Sequence, residues 1–255
     1  MIYITGDVHI PYDVAKLGTE KLKDTTKDDY LIICGDFGLL WNWTEQNQSV
    51  ESNPEDTKWT TNELFWKKHL ENLPYTILFV DGNHENFDRL NGYPITEWNG
   101  GKVQKISDSI IHLMRGQVYE IDGKKIFTFG GAASHDRGIA TGTENIDEGV
   151  CWWPVEICNQ RERDEAVKNL AEHNNKVDII ITHCLPDKQV MKLGFSEFNA
   201  TTTFLWNIEE MVDFQKWYCG HYHRDEWVST KIRILYNEIV TDEGEKVYVP
   251  LHSKF

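Results

Sequence analysis

Ile2-Tyr3-Ile4-Thr5-Gly6-Asp7-Val8-His9 opens the chain with residues that suit a buried strand, then turns at once to glycine, carboxylate and imidazole. The same change of chemistry recurs along the chain. Tyr30 to Cys34 runs into Gly35-Asp36, and Thr76 to Val80 into Asp81-Gly82-Asn83-His84; Val177 to Thr182 leads to His183, and Trp217 to Cys219 to Gly220-His221-Tyr222-His223. Each run is short and rich in Ile, Val, Leu, Phe or Tyr, the make-up of strands covered on both faces. Loops that follow the carboxyl ends of such strands gather on one edge of an α/β sheet, where these folds bind ligands. That edge is expected to collect Asp7, His9, Asp36, Asn83, His84, His183, His221 and His223.

Helical patterns lie between the runs. Asn53-Pro54-Glu55-Asp56 reads as a helix start, followed by an apolar stripe of Trp59, Leu64, Phe65, Leu70 and Leu73 that Pro74 stops. A second helix is expected from about Glu156 to His173, burying Ala166, Val167, Leu170 and Ala171. Strands alternating with helices define a layered α/β fold. Gln117 to Ile121, Asp122-Gly123 and Lys125 to Phe129 read as a hairpin on a favoured two-residue turn, which makes the sheet mixed. The chain, residues 1–255, is read as a single domain with lid insertions near 38–60 and 138–155, segments long enough to carry function.

Composition narrows the classes. No stretch approaches the roughly 18 consecutive apolar residues of a membrane span. The N-terminus enters its first strand without the basic and apolar regions of a secretory signal, so the cytoplasm is the expected compartment. The five cysteines form no CxxC pair and read as small buried hydrophobes rather than as a disulfide or zinc framework. A net charge of −15 argues against extended nucleic-acid binding, which needs a basic stripe.

The donors gathered at the sheet edge are two carboxylates, an amide oxygen and several imidazoles, a set that suits Mn, Fe or Zn better than Ca or Mg. They are too many for one tetrahedral ion. Two divalent ions set against Asp7 and Asp36 leave the site at about +2, attractive to a phosphate despite the acidic surface. A water shared by both ions has its pKa lowered toward about 7, which makes hydroxide available near neutral pH.

Gly6-Asp7-Val8-His9, Gly35-Asp36, Gly82-Asn83-His84-Glu85, Thr182-His183 and Gly220-His221-Tyr222-His223 together resemble the calcineurin-like metallophosphoesterases. The blocks stand in the family's order over nearly the whole chain. The resemblance implies a four-layer αββα sandwich of two mixed β-sheets flanked by helices. It implies that Asp7, His9 and His223 hold one metal, that Asn83, His183 and His221 hold the other, and that Asp36 bridges them. His84 takes the family's non-ligand catalytic position. The implied activity is phosphomono- or phosphodiester hydrolysis by a metal-bridging hydroxide, with Mn²⁺ the expected ion and Fe, Zn or Ni as alternatives. One departure is informative: Gly35-Asp36-Phe37-Gly38 lacks the Asp-Arg pair of the Ser/Thr protein phosphatases, which argues against that activity.

The expected substrate is a small phosphate ester, nucleotide-like if Trp41, Trp43, Trp152 and Trp153 stack on a base; packing is the alternative for these rings. Arg137, in Ser134-His135-Asp136-Arg137, is a candidate phosphate ligand because its fork matches phosphate oxygens. His69, His112, His173 and His252 read as ordinary surface or core residues. A nuclease of the same family and a non-catalytic protein-binding scaffold are the competing functions.

Overall fold

In the computed structural model, residues 1–41, 59–134, 148–149 and 151–248 are described. Alternation along the central strands sets the architecture. β1 (Ile2–Thr5), β2 (Tyr30–Ile33) and β3 (Thr76–Phe79) lie parallel and in register, with β6 (Ile110–Leu113) parallel to β3. Leu31, Ile33, Ile77 and Phe79 point into one apolar cluster and Ile32, Cys34, Leu78 and Val80 into another, as the two-residue period of a strand requires. The sheet continues through β4 (Ile95–Trp98), β5 (Gly101–Ser107), β13 (Ile239–Thr241) and β14 (Lys246–Tyr248) in the order β14-β13-β1-β2-β3-β6-β5-β4. The antiparallel β13 and β5 make it mixed.

A second mixed sheet contains β7 (Gln117–Ile121), β8 (Lys124–Phe129), β9 (Ile179–Thr182), β10 (Lys216–Cys219), β11 (Glu226–Trp227) and β12 (Ile232–Ile234), in the order β11-β12-β10-β9-β8-β7. β7 and β8 form the expected hairpin, with Asp122 at φ 49° and Gly123 at φ 74°, the left-handed pair that such a turn demands. Ile179 and Ile181 join the cluster that holds Ile32 and Leu78, whereas Ile180 faces away from it. The two sheets therefore share an apolar layer.

Helices cover the outer faces. Leu70 of α1 (Thr61–Glu71) and Leu90 of α2 (Phe87–Leu90) pack on the first sheet, and Ala166 and Leu170 of α3 (Gln160–Glu172), Val190 of α4 (Asp187–Lys192) and Phe204, Leu205 and Ile208 of α5 (Ala200–Met211) on the second. The layers run helix, sheet, sheet, helix. Thr60 caps α1, its hydroxyl accepting from Glu63 N while Glu63 accepts from Thr60 N; residues 53–56, read as the helix start, lie outside the described residues. Phe65 does not join the buried stripe and is 59% exposed. In α3 only Ala166 and Leu170, one turn apart, are buried; Val167 and Ala171, one position further round, face solvent. Asn159 caps this helix, so it begins later than Glu156.

Arg137, Trp43, His252 and most of the two expected insertions also lie outside the described residues. No helix among the described residues is long and apolar enough to cross a membrane.

Candidate metal centre

The parallel order of β1, β2 and β3 puts their carboxyl ends side by side, and backbone bonds lock the loops that follow. Val8 N and His9 N both donate to Asp36 O, at 3.0 and 2.9 Å. Asp36 Oδ1 accepts from Asn83 N and His84 N, each at 2.8 Å, which joins the second loop to the third. Within the second sheet Gly220 N donates to His183 O at 3.0 Å, and across the interface His221 N donates to Asp7 Oδ1 at 2.9 Å. The eight residues named from the sequence meet at this one edge.

Asp7, His9 and His223 each offer a donor atom, all within 4.8 Å of one another; so do His9, Asp36 and His84, and so do Asp36, His183 and His221. Asn83 Oδ1 is 3.1 Å from His183 Nε2. Asp36 thus belongs to two of these groups, with His9 and His84 in one and His183 and His221 in the other; Asp7 and His223 join through His9, and Asn83 through His183.

The backbone is bent to achieve this. His9, Asp36, His221 and His223 have φ of 40°, 49°, 69° and 49°, a region that non-glycine residues seldom occupy and that tends to accompany functional strain. Glycine is required beside the carboxylates. A Cβ on Gly82 would fall 2.0 Å from Asp36 Oδ1, and one on Gly220 would fall 2.0 Å from Asp7 Oδ1.

The donor chemistry fits a cation. His183 Nδ1 lies 2.7 Å from the carbonyl of Cys34, which can only accept, so Nδ1 carries a proton. In the neutral ring Nε2 then presents a lone pair, yet it faces Asn83 Oδ1 at 3.1 Å and Asp36 Oδ1 at 3.2 Å. Acceptors converging in a buried place call for positive charge between them. For the metal-free chain, burial alone would lower the His183 pKa, but Asp36 and Asp7 hold it up at about 9. Burial likewise works against His9, whose bonds to Asp13 and Asp36 raise it to about 10. Asp36, which burial would raise, is held well below the usual carboxylate range by His183, His9 and His84. A divalent ion would satisfy these groups without the protons.

Supporting residues escaped the sequence reading. His9 Nδ1 is 3.0 Å from Asp13 Oδ2, and His221 Nε2 is 2.8 Å from Glu197 Oε2. Buried Lys16 donates to the carbonyls of Gly6 and Asp7, at 3.2 and 2.6 Å, and to that of Tyr236, and burial lowers its pKa to about 8. Glu85 accepts from Phe37 N at 2.8 Å and so braces the Asp36 loop; burial, with Asp36 nearby, pushes its pKa well above the usual range. The spacing Asp13 minus His9 was the one available signal, since i and i+4 residues meet on a helical turn. Nothing local marks Glu197.

Of the other histidines, His112 is buried between Gln104 and Asp81, while His69 and His173 lie on helix surfaces at the ends of α1 and α3. Arg115 is spent internally, donating to Asp81 Oδ2 at 2.6 Å and to the Glu156 carbonyl at 3.2 Å. A cleft of about 400 Å³ between α3 and α5, lined by Arg163, Phe204 and Asn207 among others, shares no residue with the centre.

A two-sheet sandwich whose strand ends bring carboxylates, an amide and imidazoles together defines a metallohydrolase class. The calcineurin-like phosphoesterase family model matches residues 1–225, and the chain belongs to that family. Its general chemistry is metal-dependent hydrolysis of phosphoesters. No curated protein matches the chain.

Proposed function

We propose that this chain hydrolyses mono- or diesters of small, nucleotide-like phosphates in the cytoplasm with two divalent transition-metal ions, Mn²⁺ first among them. The observation that carries the reading is the position of Asp36 between two groups of donors. Asp7, His9 and His223 would hold one ion, Asn83, His183 and His221 the other, and Asp36 both. When bound, the ions supply Lewis acidity, lowering the pKa of a shared water toward about 7 and offsetting charge on the phosphoryl oxygens.

The chain's own residues do the rest. His84 is half-buried, its backbone fixed by Asp36 and its ring 5.3 Å from that of His9. There it can give a proton to the leaving oxygen. The ring of Trp41 stands 5.3 Å from that of His84. Asn86 Nδ2 donates to the Trp41 carbonyl at 3.3 Å, and Trp153, whose Nε1 donates to Asp88 at 3.0 Å, packs edge-on against Trp41. A planar wall beside the leaving-group position supports an aromatic leaving group such as a nucleoside. Arg137 is the proposed partner for phosphate oxygens. The charge of −15 supports a small substrate over a long nucleic acid, the apolar layer shared by the sheets supports one domain, and five free cysteines support a reducing compartment.

Metal-depleted protein reconstituted with Mn²⁺, Fe²⁺, Zn²⁺ or Ni²⁺ and offered p-nitrophenyl and bis-p-nitrophenyl phosphates tests this. Turnover that needs an ion and stops with a chelator is expected. Absence of turnover with every ion contradicts the proposal.

A further inference from the structure

His221 is held from behind by a relay of side chains. Its Nε2 lies 2.8 Å from Glu197 Oε2, with the two side chains 4% and 15% exposed. The other oxygen, Oε1, accepts from Asn199 Nδ2 at 3.5 Å. Asn199 is itself fixed as the cap of α5, its Oδ1 accepting from Thr201 N and Thr202 N at 2.9 and 3.2 Å and its own N donating to the Thr202 hydroxyl at 2.9 Å. On the other side of Glu197, Phe195 stacks on Tyr222 with ring centroids 5.1 Å apart, and the Tyr222 hydroxyl accepts from Leu185 N at 3.2 Å. The chain is therefore anchored before and after Glu197, next to the residue it serves.

A carboxylate can only accept, so its contact puts the imidazole proton on Nε2 and leaves the lone pair of Nδ1 for an ion. It also makes that lone pair more basic. His183, expected at the same ion, hydrogen-bonds a neutral carbonyl through Nδ1 instead, with Asp7 Oδ1 further off at 3.8 Å. The carboxylate hydrogen-bonded behind this metal position thus acts through His221.

We propose that Glu197 is a positioning residue which, acting through His221, sets the affinity of the metal position formed by Asn83, His183 and His221. The proposal rests on the two-ion reading above. It assigns that position a sensitivity to Glu197 that the position of Asp7, His9 and His223 does not share.

The test needs no substrate. Metal-free wild type, Glu197→Ala and Glu197→Gln are titrated with Mn²⁺ against a chelator, and the ions are followed by electron paramagnetic resonance. Wild type should take up two equivalents and show a spin-coupled pair. Glu197→Ala should bind one equivalent as before and the other about 10- to 100-fold more weakly, so that at limiting chelator the signal becomes that of an isolated ion. Glu197→Gln keeps an oxygen for Nε2 without the charge and should fall between, and it carries the test if the alanine variant fails to fold. Wild-type affinity for both equivalents in a folded variant, or an equal loss at both, overturns the proposal for Glu197 alone. Fewer than two equivalents in wild type overturns the two-ion reading and this proposal with it.

Discussion

Asp36 accepts two backbone bonds and faces His9 and His183 with its oxygens, so its charge serves both donor groups at once. Asp36→Asn is expected to lose bound metal and turnover together, measured by elemental analysis and a Mn²⁺-dependent assay on the same sample. His84→Gln should instead retain the metal and lose roughly 10² to 10⁴ in rate, the range for one acid-base group; equal metal loss in both variants would make His84 a ligand. Protonation gives a further sign. A pKa raised by folding stabilises the fold below its unfolded value and stops doing so as pH passes the folded value. For the metal-free chain that window runs from the ordinary 6.5 up to about 9 at His183 and about 10 at His9. Metal-free protein should therefore lose melting temperature as pH rises from 6.5, while stabilisation by added Mn²⁺ grows over the same range because the ion needs the imidazoles without their extra protons. Parallel slopes would contradict this. The expected ligands were legible because each directly follows an apolar run; Glu197 sits in a loop 24 residues before His221, where only the folded contact reveals it.

Among elements, the loops after β2 and β3 are locked so tightly that one methyl should be felt. Gly82→Ala places a Cβ against Asp36 Oδ1 and must displace either the carboxylate or the backbone that binds it. Weakened metal binding with secondary structure retained by circular dichroism is expected, and unchanged metal affinity would show that the loop yields. The strands bearing ligands and the β7–β8 hairpin could be read because they are apolar runs or carry Asp-Gly. β5 escaped: Lys102-Val103-Gln104-Lys105-Ile106 mixes charge with apolar residues, and it is held by pairing to β4 and β6 rather than by its own composition. The excess apolar residues assigned to α3 have a related cause, since a helix lying on a sheet buries a narrow stripe, and Val167 and Ala171 fall just off it.

For the molecule as a whole, two sheets back to back bring the ends of β1, β2 and β3 against those of β9 and β10, so neither sheet alone carries a complete donor set. The layer order followed from the family resemblance and from strand alternation, while the placement of β13 beside β1 depends on a pairing distant in sequence. Two divalent ions at the centre, as proposed, would reconcile a net charge of −15 with an anionic substrate. The most direct test of this arrangement is an anomalous difference map from crystals grown with Mn²⁺. Two peaks are predicted, one beside Asp7, His9 and His223 and one beside Asn83, His183 and His221, with Asp36 touching both. A single peak, or peaks away from Asp36, would contradict the account.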